Sequence, residues 1–139
     1  MITRRRQVSG TAEAEYAADT ALAAQFDELL AAARSAEQTY RDAQARSQPI
    51  SELYPLAKRL DTALTDAVHA AYAGQRVETG PRGYEDRIYR RKALARSAVH
   101  AWRDEAERLL TLRETHRLTM PPEPRTDLPS AEAVPYVVS

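Results

Sequence analysis

The chain has 139 residues, and its 20 Lys and Arg balance its 20 Asp and Glu, so the formal net charge is zero. This length suits a single domain with tails and is too short for a large two-domain enzyme. The chain contains no cysteine, which excludes disulfide frameworks, thiolate zinc sites, iron–sulfur clusters and cysteine nucleophiles. Alanine contributes 26 residues and glycine only four, a composition typical of helical proteins.

The N-terminal segment, residues 1–10, is basic and carries no acidic residue. We expect a flexible arm here, in which Arg4, Arg5 and Arg6 are candidate contacts for phosphate. A solubilising end without a binding role is the alternative. No apolar segment follows the arginines, as a secretory signal would require, and no apolar run approaches the ~20 residues that cross a bilayer. The sequence therefore predicts a cytoplasmic protein that does not contact membranes.

The first predicted helix covers residues 11–46. Its apolar residues recur at spacings of three and four, which places them along one face of a helix: Leu22, Phe26, Leu29, Ala33, Ala36, Tyr40 and Ala43. The segment is acidic, with seven carboxylates and three arginines. Many of the face positions are alanine, so this helix needs neighbouring helices to be stable.

The second predicted helix begins at Ser51 or Pro55, because a proline is best tolerated in the first turn of a helix. It ends at Ala73, since Gly74 stands where a left-handed C-cap is expected. The apolar face of this helix consists of Leu53, Leu56, Leu60, Leu64, Ala67, Val68 and Ala71.

The third predicted helix covers residues 84–116 and follows a loop, residues 74–83, that holds three of the four glycines. At 33 residues it would be about 50 Å long if unbroken. Its apolar face is predicted to consist of Tyr84, Ile88, Ala95, Val99, Trp102, Ala106 and Leu109. The predicted fold is therefore all-α, a bundle of three main helices within residues 11–118, of which the third is the longest.

The C-terminal segment, residues 119–139, contains five prolines and no helical periodicity, which predicts an extended, proline-rich strap. It ends in apolar and β-branched residues where a disordered tail is usually polar. We expect Tyr136, Val137 and Val138 to dock on a neighbouring subunit, either by adding a strand or by filling a groove. A disordered end is the alternative.

The densest group of charges lies at the start of the third predicted helix. Residues 76–103 hold eight basic and three acidic residues, a net charge of +5. Two interpretations are open. Guanidinium groups on this helix bind the phosphates of a nucleic acid while Tyr89 stacks on its bases, or the arginines are solvated and pair with the acidic first helix. The candidate nucleic-acid contacts are Arg82, Arg87, Arg90, Arg91, Lys92, Arg96, Arg103 and Tyr89.

Catalytic and metal-binding patterns are weak in this sequence. The three histidines, His69, His100 and His116, each have a carboxylate nearby in sequence, but the paired Glu-x-x-His pattern of di-iron bundles is missing. No Gly-x-Ser-x-Gly, P-loop or dinucleotide-binding pattern is present either. We therefore expect a protein that is not an enzyme, has no metal or other cofactor, and takes no small-molecule substrate.

An arginine-rich helical protein with a basic helix face and assembly tails resembles the helical small subunits of CRISPR effector complexes. The resemblance covers residues 11–118 and is one of architecture. It implies a non-catalytic subunit of a multi-subunit nucleoprotein complex, with protein subunits and RNA or single-stranded DNA as partners. Arg82, Arg87, Arg90, Arg91 and Arg96 would then contact the nucleic-acid backbone.

A second hypothesis is a phage or virion assembly protein of the head–tail connector type. Such proteins are often small helical bundles that dock on neighbouring subunits by an extended tail. The proline-rich strap suits this hypothesis better than the first one. In that case the arginines would meet acidic partner surfaces or packaged DNA.

Overall fold

A computed structural model describes residues 7–125, and within this range it contains α-helices and no β-strand. The all-helical prediction is therefore confirmed. None of the described helices is both long and apolar enough to cross a membrane. The predicted contacts at Arg4, Arg5, Arg6, Tyr136, Val137 and Val138 lie outside the described residues. The elements are α1 (Gly10–Ala23), α2 (Phe26–Ala45), α3 (Ile50–Glu78), a 3-10 turn (Pro81–Tyr84), α4 (Arg87–Ala93) and α5 (Ser97–Thr119).

Helix α3 is the centre of the bundle, because α1, α2 and α5 all pack chiefly against it. Leu60, Leu64 and Val68 of α3 are buried in the core. The same helix also carries alanines without exposed surface, among them Ala57 and Ala67. Small side chains bury little area each, but they let neighbouring helices approach closely, and this accounts for a core that is rich in alanine.

The first predicted helix is divided into α1 and α2. Ala24 and Gln25 keep right-handed helical angles, and the amide of Gln25 donates to the carbonyl of Leu22, three residues back, at 3.0 Å. The break is thus a local tightening of the 3-10 kind, and neither glycine nor proline marks it in the sequence. The predicted apolar face is preserved across it, since Leu22 of α1 packs against the same core in which Phe26 and Tyr40 of α2 are buried.

Helix α3 begins earlier than predicted. Its first residue is Ile50, and Pro49 occupies the N-cap position with extended angles. Pro55 consequently lies in the second turn, although the sequence analysis placed it in the first. Since Pro55 lacks an amide hydrogen, it cannot donate the hydrogen bond to the carbonyl four residues back that a residue at this position normally makes.

The predicted end of the second helix at Gly74 is wrong. Gly74 is buried inside α3, which continues to Glu78. A Cβ atom on Gly74 would lie 2.4 Å from Cδ2 of Trp102, so this glycine allows α5 to approach α3. The left-handed residue that follows the helix is Gly80, with φ of 77°.

The third predicted helix, residues 84–116, is interrupted twice, because the structure has the end of a 3-10 turn and two separate helices, α4 and α5, in its place. Arg96 has extended angles at the N-cap of α5. The break turns α4 away from the core, so Ile88, predicted to be buried, is 71% exposed, and Ala95 is exposed as well. Val99 and Leu109 in α5 are fully buried, as the sequence predicts.

Candidate nucleic-acid interface

Helix α4 carries most of the predicted nucleic-acid contacts and begins at a well-defined cap. The Asp86 carboxylate accepts a hydrogen bond from the amide of Tyr89 at 2.9 Å. The same carboxylate forms an ion pair with Arg82, in which Nε lies 3.2 Å from Oδ2. The bond from the Tyr89 amide and the nearby Arg82 guanidinium lower the pKa of Asp86. Asp86 therefore remains ionised and caps α4 at neutral pH.

Helix α4 packs chiefly against the 3-10 turn and has few contacts with the rest of the bundle. Ala93, near its C-terminal end, is buried. Arg90 donates from Nη1 to the carbonyl of Gly83 at 3.3 Å, which ties the helix to the turn. Most of the surface of α4 is left to solvent, and the positions of its charges depend on this turn.

The ring of Tyr89 contacts two arginines from outside α4, one in the 3-10 turn and one at the N-cap of α5. The guanidinium carbon of Arg82 is 4.8 Å from the centre of the Tyr89 ring, and that of Arg96 is 5.9 Å from it. Arg96 also donates to the carbonyl of Glu78 at 3.1 Å. The predicted base-stacking residue is thus already covered in part by two cations, and it holds those cations in place.

Three cations of α4 are exposed and unpaired. Among residues 7–125, Arg87, Arg91 and Lys92 make no side-chain hydrogen bond or ion pair. Together with Ile88 they line an open groove of 640 Å³. Exposed, unpaired guanidinium and ammonium groups around an accessible aliphatic side chain can bind phosphates and contact the sugars or bases between them.

The remaining predicted contact, Arg103, does not belong to this surface. It lies on α5, half-buried, with Nη2 2.6 Å from Nδ1 of His100. Of the seven predicted cations that lie within residues 7–125, the structure therefore brings six to α4 and its flanking turns and leaves Arg103 apart.

The acidic first helix does not neutralise the cluster. Asp19 of α1 pairs with Arg76 of α3, with Oδ2 2.8 Å from Nε. Asp61 pairs with Arg117 of α5 in the same manner, at 2.6 Å. Of the seven predicted cations, Arg82 is the one with a carboxylate partner among the described residues. The carboxylates of the bundle thus pair with arginines other than those exposed on α4.

A second cavity adjoins α4 and was not predicted from the sequence. It has a volume of 530 Å³ and lies between α1, α3, the 3-10 turn and α4. Within it, Tyr84 donates to Oδ2 of Asp19 at 2.5 Å, and Arg76 donates to both oxygens of the same carboxylate, from Nε to Oδ2 and from Nη2 to Oδ1. The hydrogen bond from Arg76 lowers the pKa of Asp19 although burial opposes it, whereas burial and the bond to Asp19 raise the pKa of Tyr84. The residues that line this cavity come from four separate segments of the chain, so no local sequence pattern predicts the cavity.

The histidines are dispersed. His116 is buried and donates from Nε2 to the carbonyl of Ala57 at 2.7 Å, which fixes the tautomer because a carbonyl only accepts. His69 is exposed on α3, and His100 contacts Arg103. No group of three or more histidines and carboxylates with the spacing of a metal site occurs within residues 7–125.

Comparison of the chain with protein-family models, with curated proteins and with solved structures gave no match.

Proposed function

We propose that this protein is a non-catalytic helical subunit of a nucleoprotein complex and that it binds the backbone of RNA or single-stranded DNA through α4. The proposal depends on three exposed cations around one groove that have no ion-pair partner within residues 7–125, namely Arg87, Arg91 and Lys92. Phosphate contacts of this kind are electrostatic and carry no sequence information by themselves.

The neighbouring arginines hold α4 in place through contacts with other groups of the protein. Arg82, Arg90 and Arg96 each bind a group of the protein, namely a carboxylate, a carbonyl or an aromatic ring. They contribute positive potential at α4, but their positions are already fixed by these contacts. The cluster therefore divides into anchored arginines that organise the helix and unpaired cations that are available to phosphate.

The test is a triple variant in which Arg87, Arg91 and Lys92 are replaced by Gln. The matched control replaces Arg34, Lys58 and Arg59 by Gln and so removes the same charge. These three residues are exposed on α2 and α3 and have no ion-pair partner in the described chain. Affinity for a labelled 20-nucleotide single strand of RNA or DNA is measured by fluorescence anisotropy between 50 and 300 mM salt.

We expect the wild-type affinity to fall steeply with salt. In the α4 variant the slope of log K against log salt should become shallower by about 0.7 for each lost phosphate contact, or about 2 in all. The control variant should retain most of the wild-type slope. Equal losses in the two variants would show that net charge alone attracts the strand, and unchanged binding by the α4 variant would refute the proposal.

A further inference from the structure

The cavity beside α4 is suited to a flat, partly apolar ligand. Its volume of 530 Å³ lies within the range of roughly 300–1,000 Å³ of small-molecule sites. Tyr72, Tyr84 and Leu94 supply aromatic and aliphatic surface, and Ala18 forms part of its edge on α1. Aromatic rings in a cleft provide stacking surfaces for nucleobases.

Two polar side chains in this cavity lack partners. Neither Glu15 of α1 nor Gln75 of α3 makes a side-chain hydrogen bond or ion pair within residues 7–125. Asp19, in contrast, is already bound by Arg76 and Tyr84. A ligand that enters the cavity therefore meets one unpaired carboxylate and one unpaired carboxamide.

Of the two carboxylates that line the cavity, Glu15 is the one without a partner among the described residues, so it is the one that can select a hydrogen-bond donor. A carboxylate only accepts hydrogen bonds, so it repels a phosphate and favours a group with N–H donors. The carboxamide of Gln75 both donates and accepts, and it complements a ring nitrogen beside such a group. An exocyclic amine on a nucleobase satisfies Glu15, as in the pairing of Glu with the amino group of cytosine.

The cavity and the groove on α4 adjoin each other and share part of their lining. Arg90 and Leu94 line both of them, so a base in the cavity would have its own phosphate near α4. From this arrangement we infer that the cavity binds a nucleobase bearing an exocyclic amine, while the cations of α4 hold the attached phosphate. The inference rests on the proposed function, and the base is supplied either by a single strand or by a free nucleotide.

The experiment compares three 12-nucleotide strands that have the same charge: oligodeoxycytidine, oligodeoxyuridine and an abasic strand. Cytosine and uracil have the same shape, but only cytosine offers the amine. We expect the wild-type protein to bind the cytosine strand about tenfold more tightly than the other two, because the contact involves a charged acceptor.

Two variants of α1 localise the effect. Replacing Ala18, at the edge of the cavity, by Phe should fill it and remove the preference for cytosine, while the salt-dependent binding of the abasic strand is retained. The matched control, Ala17→Phe, changes an exposed alanine of α1 that does not line the cavity and should preserve the preference. Glu15→Gln should abolish the discrimination between cytosine and uracil, whereas Glu13→Gln should not.

The outcomes separate this inference from the proposed function. Equal, salt-dependent binding of all three strands would overturn the base site and leave the role of α4 standing. If no strand binds, the proposed function fails, and calorimetry with cytidine monophosphate decides the inference. Binding of this nucleotide that Ala18→Phe removes would support the site with a free nucleotide as its ligand, and no binding would overturn it.

Discussion

Gly74 permits a direct test of how the bundle is packed. Replacing it by Ala would normally stabilise an α-helix by about 1 kcal/mol. Here the added Cβ would lie 2.4 to 2.6 Å from three carbon atoms of the Trp102 indole, whereas carbon atoms pack best at about 3.5–4.0 Å. The indole must therefore move by about 1 Å, and its edge-to-face contact with Phe26, at 5.3 Å between ring centres, restricts that movement.

Overpacking of this size typically costs 1–3 kcal/mol, which exceeds the gain in helix propensity. We expect Gly74→Ala to lower the free energy of unfolding by about 1–2 kcal/mol, or the melting temperature by about 3–10 °C. Urea unfolding followed by circular dichroism measures the loss, and the fluorescence of Trp102, the single tryptophan of the chain, reports the shift of its ring.

Two further variants make the test specific. Gly10→Ala, at the first position of α1 with no atom within 4 Å of the added Cβ, should be neutral or slightly stabilising. Adding Trp102→Phe to Gly74→Ala should cost less than the sum of the two single changes, because the smaller ring makes room for the methyl group. A Gly74→Ala protein as stable as the wild type would refute this account of the α3–α5 contact.

Three other perturbations follow from single contacts. Asp19→Asn should destabilise the protein at pH 7 by about 1 kcal/mol, because it breaks the ion pair with Arg76. Since the pKa of Asp19 is lowered in the folded state, the stabilisation by this ion pair is present above about pH 4 and is lost as the pH falls further. The free energies of unfolding of the wild type and the Asp19→Asn variant, measured by urea titration, should therefore converge at low pH. His116→Phe should cost about 1 kcal/mol in thermal unfolding through loss of the bond to Ala57. Ile88→Ser should change the free energy of unfolding by less than about 0.5 kcal/mol, because Ile88 is exposed. A larger loss of stability in calorimetry would show that Ile88 packs against the core.

The helical faces of α2, α3 and α5 were predictable from the sequence because each repeats over several turns. Leu60, Leu64 and Leu109 are buried where their spacing places them. The breaks were not predictable, because no glycine or proline stands at residues 24–25 or 94–96. They depend on tertiary packing, in which α5 fits against α3 while α4 follows the 3-10 turn.

The candidate site shows the same division. The sequence predicts that Arg87 and Arg91 are exposed, and the structure agrees, but Ile88 beside them is exposed as well because α4 packs chiefly against the 3-10 turn. The contacts of Tyr89 with Arg82 and Arg96 depend on two turns whose geometry the sequence does not specify. The cavity beside α4 was not predicted because Glu15 and Gln75, which line it, belong to segments far apart in the chain.

The loose attachment of α4 has a consequence for its dynamics. A helix of seven residues is far shorter than the ~12–15 residues at which isolated helices become marginally stable in water, so α4 depends on the Asp86 cap and on the adjoining turn. Its amide hydrogens should exchange with solvent through local opening, at a much lower free energy than the amides of α3. The positive surface on α4 can therefore change its conformation while α3 and the helices packed against it stay folded.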